Sequence, residues 1–520
     1  MQHFKVSIDA DAWRAWKPGK LIAKIVHTLG LYFTALVVVL CNVRLIFDNS
    51  LWGDEAYSAN CVRGKTFAQV VGVTAAIDNH PPLYYLYLKA MVDFFGDHGW
   101  VLHFASTALL IVLVLFALTL FKKRFGQMAA LGFILFVGLA GACVEYGQEV
   151  RMYELAFASV VGAFYCAYRV LCKAKFAWVG VVLWGLVAAY SHHYGLLSAA
   201  SLLFFTTIFV AIRDRGKSWL KGLGAMATFI VGYLPWLSVF LKQSSDVAGG
   251  WWMDSVEGVR YLLPKMLGSE NLVKPVVLLF GLFCVFMGAV DFAMFFVKSD
   301  HEIMVRPPRF AEIANESLAF ILGCVVQLSV LAAVYVFSAL FSPIVAARYA
   351  YVLCGFTAVN LMLLISRVLR WGKEKQGKTK VAAGLSILLV IALLLPIEIK
   401  DYKNFSTYSI EENASTQELL NLVSSYSKDL SQVSMVSMDV KHLGWTVLPY
   451  YFPEAEIKMG MPTEVDRPEV WCFMGRTLPE ETMREMTERG YTICGNFGYG
   501  KLSKYDCVVY YFAKEVTDGN

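Results

Sequence analysis

The residues able to do chemistry in this 520-residue chain gather in short polar stretches separated by long apolar ones. The first stretch holds Leu51-Trp52-Gly53-Asp54-Glu55-Ala56-Tyr57 and, roughly 25 residues on, Asp78-Asn79-His80-Pro81-Pro82-Leu83-Tyr84-Tyr85. The second is Glu145-Tyr146-Gly147-Gln148-Glu149-Val150-Arg151-Met152-Tyr153, and the third is Tyr190-Ser191-His192-His193-Tyr194. A fourth opens near Leu234-Pro235-Trp236 and carries Gln243, Trp251 and Trp252; a fifth ends at Ala347-Arg348-Tyr349. Carboxylates, guanidinium groups and imidazoles move protons and hold anions, and at membrane depth such groups are costly and usually functional. Five stretches on one face would make one site. Each residue also has a purely structural reading. Asp54-Glu55 can cap a helix, where the dipole favours acids, and His80-Pro81-Pro82 can simply start one. Arg151 and Arg348 can be interface snorkellers, His192-His193 a satisfied loop pair, and Trp251-Trp252 with the many tyrosines an aromatic belt.

The elements that must position these stretches are helices. The chain is 57% hydrophobic and 17% charged, with a mean hydropathy of +0.54; soluble domains carry about 25% charged residues, so an ordinary soluble enzyme is excluded. Apolar runs of spanning length fall at roughly 25–47, 99–121, 127–144, 150–171, 176–192, 196–212, 222–241, 273–297, 318–341, 347–366 and 381–397. They predict a mainly α fold, a polytopic membrane protein of about 11 (11–13) transmembrane helices. Pro82–Phe95 is too short to cross and reads as an interfacial or re-entrant helix.

The connecting loops alternate in charge. One set carries Arg14, Lys17, Lys20 and Lys24, then the basic clusters 122–124, 169–175, 213–221, 298–309 and 367–380. The positive-inside rule makes that set cytoplasmic. Eleven crossings then place the chemistry-bearing loops and the tail outside. The expected organisation is a cytoplasmic segment 1–24, a transmembrane catalytic domain 25–397 with an outer loop 48–98, and a soluble extracytoplasmic α/β domain 398–520. The polar lead before Ile25 is not a cleavable signal peptide. The tail holds 12 Lys and Arg against 19 Asp and Glu, opposite in sign to the rest. The net charge of +5 is therefore anchoring, and gives no argument for nucleic acid.

In the tail, Ser415-Thr416-Gln417-Glu418 reads as a capping box opening a helix through about Tyr426. Val433–Val440, Val470–Phe473, Tyr491–Cys494 and Cys507–Phe512 read as strands, and a helix opens at Thr477-Leu478-Pro479-Glu480 and stops at Gly490. Cys472, Cys494 and Cys507 leave room for one disulfide if the tail is extracytoplasmic. Asn315, Asn404 and Asn413 begin N-x-S patterns that are frequent by chance.

The ordered set of an acidic pair after the first helix, a His-Pro-Pro-Leu-Tyr-Tyr, and Gln-Glu-x-Arg-x-Tyr after the third resembles the GT-C membrane glycosyltransferases. The nearest groups are the bacterial relatives of protein O-mannosyltransferases and the lipid A aminoarabinose transferases. The match runs from Trp52 to Tyr349, through Tyr190-Ser191-His192-His193-Tyr194-Gly195 and Leu234-Pro235-Trp236. Two positions depart from the pattern. Leu102-His103-Phe104 stands where a family arginine is common, and Asn79-His80 where the aminoarabinose enzymes have Glu-Lys. The second departure weakens the transfer of a metal-binding glutamate, and of aminoarabinose as the sugar, to this chain.

The resemblance implies a transferase of the bacterial inner membrane that takes a sugar from a polyprenyl-phosphate donor at the outer face. The acceptor would be a hydroxyl or phosphate of lipid A, a glycan, a wall polymer or a protein. It implies inversion, with Asp54 as general base and Glu55 beside it to orient it or bind acceptor. A phosphate leaving group needs no general acid; it needs cations to hold it. Arg151, Arg348 and His80 are the candidate phosphate contacts, arginine for its planar fork. Glu149, Tyr84, Tyr57 and Lys89 complete the candidate substrate site, and a divalent metal stays an open question. A lipid-linked sugar flippase or another transporter is the main rival, and a polysaccharide polymerase or ligase the second. Transporters place coupling groups near the midplane and often show internal repeats; here the charges lie at one face.

Overall fold

The structure is a computed structural model describing residues 18–214, 216–249, 253, 255–275, 277, 296–298, 303–305, 313–375 and 377–514. Most of the predicted 1–24 segment, Trp251 and Trp252, most of the predicted span 273–297, and Arg306 and Arg309 lie outside the described residues.

Among the described residues eight helices are long and apolar enough to cross a membrane. They are α1 Pro18–Leu45, α5 Gly99–Phe125, α8 Tyr153–Leu171, α10 His193–Asp214, α11 Trp219–Gly249, α13 Asn315–Leu340, α14 Ala347–Lys375 and α15 Gly377–Tyr426. The run predicted at 127–144 is a pair, α6 Gln127–Leu139 and α7 Gly141–Gln148, bent by 60°. At the break Ala140 is extended, and the amide of Ala142 donates to Gly268 O at 2.7 Å. The run at 176–192 is α9 Ala177–Ser191. Its 15 residues rise about 22 Å, short of the roughly 30 Å hydrocarbon core.

Three helices fold the connection after α1: α2 Gly53–Val62, α3 Phe67–Ile77 and α4 Leu83–Phe95. The last corresponds to the predicted short apolar helix. On the far side of the sequence, α12 Val259–Leu267 packs on α14.

A differently built element joins the two halves. The capping box expected at Ser415 is not a helix start, because α15 runs unbroken for 50 residues. Ser415 Oγ donates to Glu411 O at 3.1 Å, the back-bond of a helix interior. Apolar residues before Pro396 and amphipathic ones after it let one rod, about 75 Å long, serve first the bundle and then the tail.

The tail is a mixed five-stranded sheet in the order β4-β3-β5-β7-β6. Its strands are β3 Val433–Ser437, β4 Glu456–Met459, β5 Glu469–Met474, β6 Tyr491–Leu502 and β7 Tyr505–Lys514, with α16 Glu480–Glu488 between β5 and β6. A separate hairpin pairs β1 Phe296–Lys298 with β2 Ile303–Val305. Strand β3 is parallel to β4 and β5, and β7 is antiparallel to β5 and β6. The short β4, with no clean alternation, was not legible in sequence. Trp471 anchors the sheet, stacked on Tyr511 at 4.6 Å and donating Nε1–H to Ser427 Oγ at 2.8 Å. Cys472, Cys494 and Cys507 are free thiols.

The sheet domain docks on the loop that carries the acidic pair. Leu51 N donates to Tyr451 Oη at 3.0 Å, Asn60 Nδ2 to Thr446 O at 2.9 Å, and Arg63 Nη1 to Tyr450 O at 2.9 Å. Ser503, held at φ 56° in the β6–β7 turn, donates its hydroxyl to Leu51 O.

The α9–α10 corner, which presents the histidine pair, depends on a close approach of backbones. A Cβ at Gly195 would lie 2.3 Å from Ala188 O. Gly195→Ala must push the two helices apart and should destabilise the purified protein by about 1–3 kcal/mol. Thermal unfolding in detergent checks this, and an unchanged melting temperature contradicts the packing described.

Candidate active site

The first turn of α2 carries both acids, where the helix dipole favours them. They point apart. Asp54 Oδ2 accepts from Arg348 Nη1 at 2.8 Å, an ion pair between residues 294 positions apart, at the start of α14. Glu55 is buried, and its two oxygens accept from Trp52 N at 3.1 Å and Val150 N at 2.9 Å. It therefore both caps α2, worth about 1 kcal/mol, and fastens α2 to the segment after the α6–α7 bend.

That segment carries Arg151, which is buried and forms no ion pair among the described residues. Its Nη1 lies 3.1 Å from Tyr85 Oη, 3.2 Å from Ser58 Oγ and 3.5 Å from Asp54 O, and its Nε has no partner. Tyr84 Oη meets Ser106 Oγ at 3.1 Å, and Ser106 donates onward to Glu149 O at 2.5 Å. The Pro81-Pro82 step thus aims two tyrosines into the same cluster.

His80 Nδ1 lies 3.0 Å from Asp78 Oδ1. A carboxylate only accepts, so Nδ1 carries the proton and Nε2 faces away from Asp78. Burial works to raise the Asp78 pKa, yet the His80 contact and the nearby Arg151 bring it down to about 2. His192 packs at 5.1 Å from Tyr349 and 5.6 Å from both His80 and Tyr153. Its Nδ1 accepts from Tyr194 N at 3.1 Å, so Nε2 bears the hydrogen, and that buried donor has no partner. Burial, then His80 and His193, hold it well below the ordinary imidazole pKa. His193 Nε2 meets Asn79 O at 2.8 Å, and Gln243 Nε2 donates to Asp78 O at 2.8 Å.

Two cavities meet this cluster. One, of about 340 Å³, is mainly apolar; it has His80, His192, His193 and Tyr349 at one end, with Phe240, Val334 and Phe337 along its walls. The other, of about 240 Å³, is polar and is lined by Arg348, Glu55, Glu149, Trp52, Glu412 and Lys504. Arg348 lines one and its neighbour Tyr349 the other.

The structure thus brings Asp54, Glu55, Glu149, Arg151, Arg348, His80 and Tyr84 together. Tyr57 packs beside them, partly buried on α2. Lys89 is elsewhere in its bonding: it pairs with Asp93 one helical turn on and sits 5.5 Å from the Phe67 ring. Sequence reasoning passed over Asp78 and His192, although both stand in the quoted motifs. It had no signal for Glu412, in the interior of α15, or for Lys504 in the β6–β7 turn. Lys504 Nζ lies 5.1 Å from the Trp52 ring, and Arg348 Cζ lies 5.4 Å from it. Among the described residues no three His, Cys, Asp or Glu side chains converge as a metal would require.

This bundle, with helices in its connecting loops and a C-terminal sheet domain, has the GT-C fold. Among solved structures it superposes on ArnT from Cupriavidus metallidurans bound to undecaprenyl phosphate, with a TM-score of 0.57 at 14% identity over 93% of this chain and 98% of that one. The apo form of the same ArnT gives 0.56 at 14% identity, over 94% and 98%. A scan against protein-family models finds no match, and a search of curated proteins finds no relative in sequence.

Burial sets a pH dependence. It raises Glu55 from 4.5 to about 7 and Glu149 from 4.5 to about 8, with neighbouring carboxylates adding to the rise at Glu149. The folded protein holds these protons longer than the unfolded chain does. Their contribution to stability is therefore full below pH 4.5 and is lost as pH rises through about 7 and 8. Glu149→Gln should remove its share, at most about 5 kcal/mol. Thermal unfolding across pH 5 to 9 should show wild type losing stability relative to the variant; parallel pH profiles would contradict the buried placement.

Proposed function

We propose that the protein is an inverting glycosyltransferase that moves a sugar from a polyprenyl-phosphate carrier to an acceptor at the extracytoplasmic face of the bacterial inner membrane. The observation that carries this reading is the Asp54–Arg348 pair, whose arginine lines a polar cavity while the next residue, Tyr349, lines an apolar one. An apolar chamber whose lining includes His80, His192 and His193 suits a lipid phosphate, and the polar one, with Arg348 in its wall, suits a water-soluble acceptor group. The solved ArnT of the same fold is bound to undecaprenyl phosphate, which supports this class of carrier.

The step needs three things from the chain. Asp54 takes the proton of the acceptor O–H as that oxygen bonds to the anomeric carbon. The bond from that carbon to the phosphate oxygen breaks, and the phosphate keeps the electron pair. Arg348, freed from Asp54 as the carboxylate takes the proton, holds the leaving charge with Arg151. The unpartnered Nε2–H of His192 adds a neutral donor. Arg151 is buried with no carboxylate in direct contact among the described residues; burying a charge costs several kcal/mol, part of which an arriving phosphate would relieve. Glu55 acts by holding α2 against Val150, and Glu149 faces the acceptor.

Asp54→Asn should lower transfer at least about a hundredfold while the protein still inserts and binds undecaprenyl phosphate. Mass spectrometry of surface glycans and lipids compares wild type, a deletion strain and the Asp54→Asn strain. The same sugar should disappear in both altered strains. Loss in the deletion alone would overturn the assignment in favour of transport.

A further inference from the structure

The polar cavity has a chemistry of its own. Its walls come from both halves of the chain: Trp52 and Glu55 from the first loop, Glu145 and Glu149 from around the end of α7, Glu412 from α15, and Lys504 from the sheet domain. Four of these are carboxyl groups, and Arg348, the cation beside them, is already matched to Asp54. Glu145 is matched by Lys265. That leaves Glu55, Glu149 and Glu412 facing one ammonium, Lys504, and burial holds Glu149 largely, and Glu55 partly, as uncharged carboxyl groups near neutral pH.

The key group is Glu149. It is 8% exposed, lines the cavity, and has no hydrogen bond or ion pair to its carboxyl among the described residues. Glu55 and Glu412 in the same wall are spoken for, by Trp52 and Val150 amides and by Ser50 Oγ at 2.5 Å. A buried carboxyl aimed into a space and left without a partner is what a ligand group would satisfy.

Uncharged carboxyl groups offer a phosphate or an ammonium no full counter-charge, and any that ionise repel a phosphate in a partly desolvated space. A hydroxyl meets no such penalty. It can accept from a protonated carboxyl, the form that burial favours at Glu149, and donate to its carbonyl oxygen. The apolar part of the lining is aromatic, with Trp52, Tyr146 and Tyr408. Such faces carry negative π density against which the C–H face of a pyranose can pack. At about 240 Å³ the space is smaller than the roughly 300–1,000 Å³ of pockets for drug-sized ligands, and suits one sugar unit.

We infer that this cavity is an acceptor subsite for an uncharged sugar, with Glu149 as the residue that binds its hydroxyl groups and Lys504 closing the space from the sheet domain. The inference rests on the glycosyltransferase reading and deepens it: the acceptor is a glycan hydroxyl and not a phosphate.

Saturation-transfer NMR on the full-length protein in detergent micelles tests it. The probes are methyl α-D-glucopyranoside, methyl α-D-mannopyranoside and methyl α-D-galactopyranoside, with glucose 1-phosphate and glucosamine as charged comparisons. At least one neutral glycoside should bind more tightly than either charged sugar. Its affinity should fall about tenfold in Glu149→Leu and survive in Glu149→Gln. Glu412→Leu, which removes a second carboxyl from the cavity lining, should weaken it as well, which keeps the test decisive if Glu149→Leu does not fold. Tighter binding of glucose 1-phosphate, tighter binding of glucosamine, no binding of any probe, or neutral binding indifferent to both variants would each overturn the inference. The probes carry no lipid and undergo no transfer, so failure here is distinct from failure of the transferase reading, which the strain comparison scores.

Discussion

The ion pair of Asp54 and Arg348 is the contact on which the rest of the site depends. It joins the first turn of α2 to the first turn of α14, across residues 294 positions apart in the chain. Neither group is at home there alone. An isolated charge withdrawn from water costs several kcal/mol, and a pair recovers that only with good geometry and further hydrogen bonds. The structure supplies the geometry in a 2.8 Å contact, and adds the Trp52 ring 5.4 Å from the guanidinium, within cation–π reach.

The neighbouring features follow from the same requirement. Glu55 cannot share Arg348, so it turns to two backbone amides, and in doing so fixes α2 to the segment after the α6–α7 bend. That bend is what brings Glu149 and Arg151 off the end of α7 into the cluster. Arg151, lacking a carboxylate of its own, settles for Ser58 and Tyr85. Unpartnered N–H donors thus stand on the side of Arg151 and His192, and carboxyl groups gather on the side of Glu149. The first arrangement suits an anion and the second hydroxyl groups.

The sequence makes these groups visible because charges in an apolar chain are few, and Asp54, His80, Arg151 and Arg348 stand out at the ends of apolar runs. That they share one end is what the alternation of basic loops predicts; their burial is not legible there. Partners are harder to read. Glu55 sits next to Asp54 in sequence yet faces the other way, because successive positions on a helix do not share a side. Lys89 looks like one more cation for the site, but its partner is Asp93 on its own helix, at the i, i+4 spacing where helical ion pairs form. Lys504 carries no local signal at all: it reaches the cavity only because the sheet domain docks on Leu51 and Asn60. The continuous α15 was hidden for a related reason. Ser415-Thr416-Gln417-Glu418 has the residues of a helix start, and only the preceding turns, already helical, cancel it.

The central claim is that Arg348 is shared, held by Asp54 when the site is empty and by the carrier phosphate when it is filled. Binding of undecaprenyl phosphate to the purified protein tests this directly. Arg348→Met should weaken binding about tenfold or more, as loss of a charge-assisted contact does, while Asp54→Asn, which releases the guanidinium, should leave binding equal or tighter. Undecaprenyl phosphate that binds Arg348→Met as well as wild type would contradict the account.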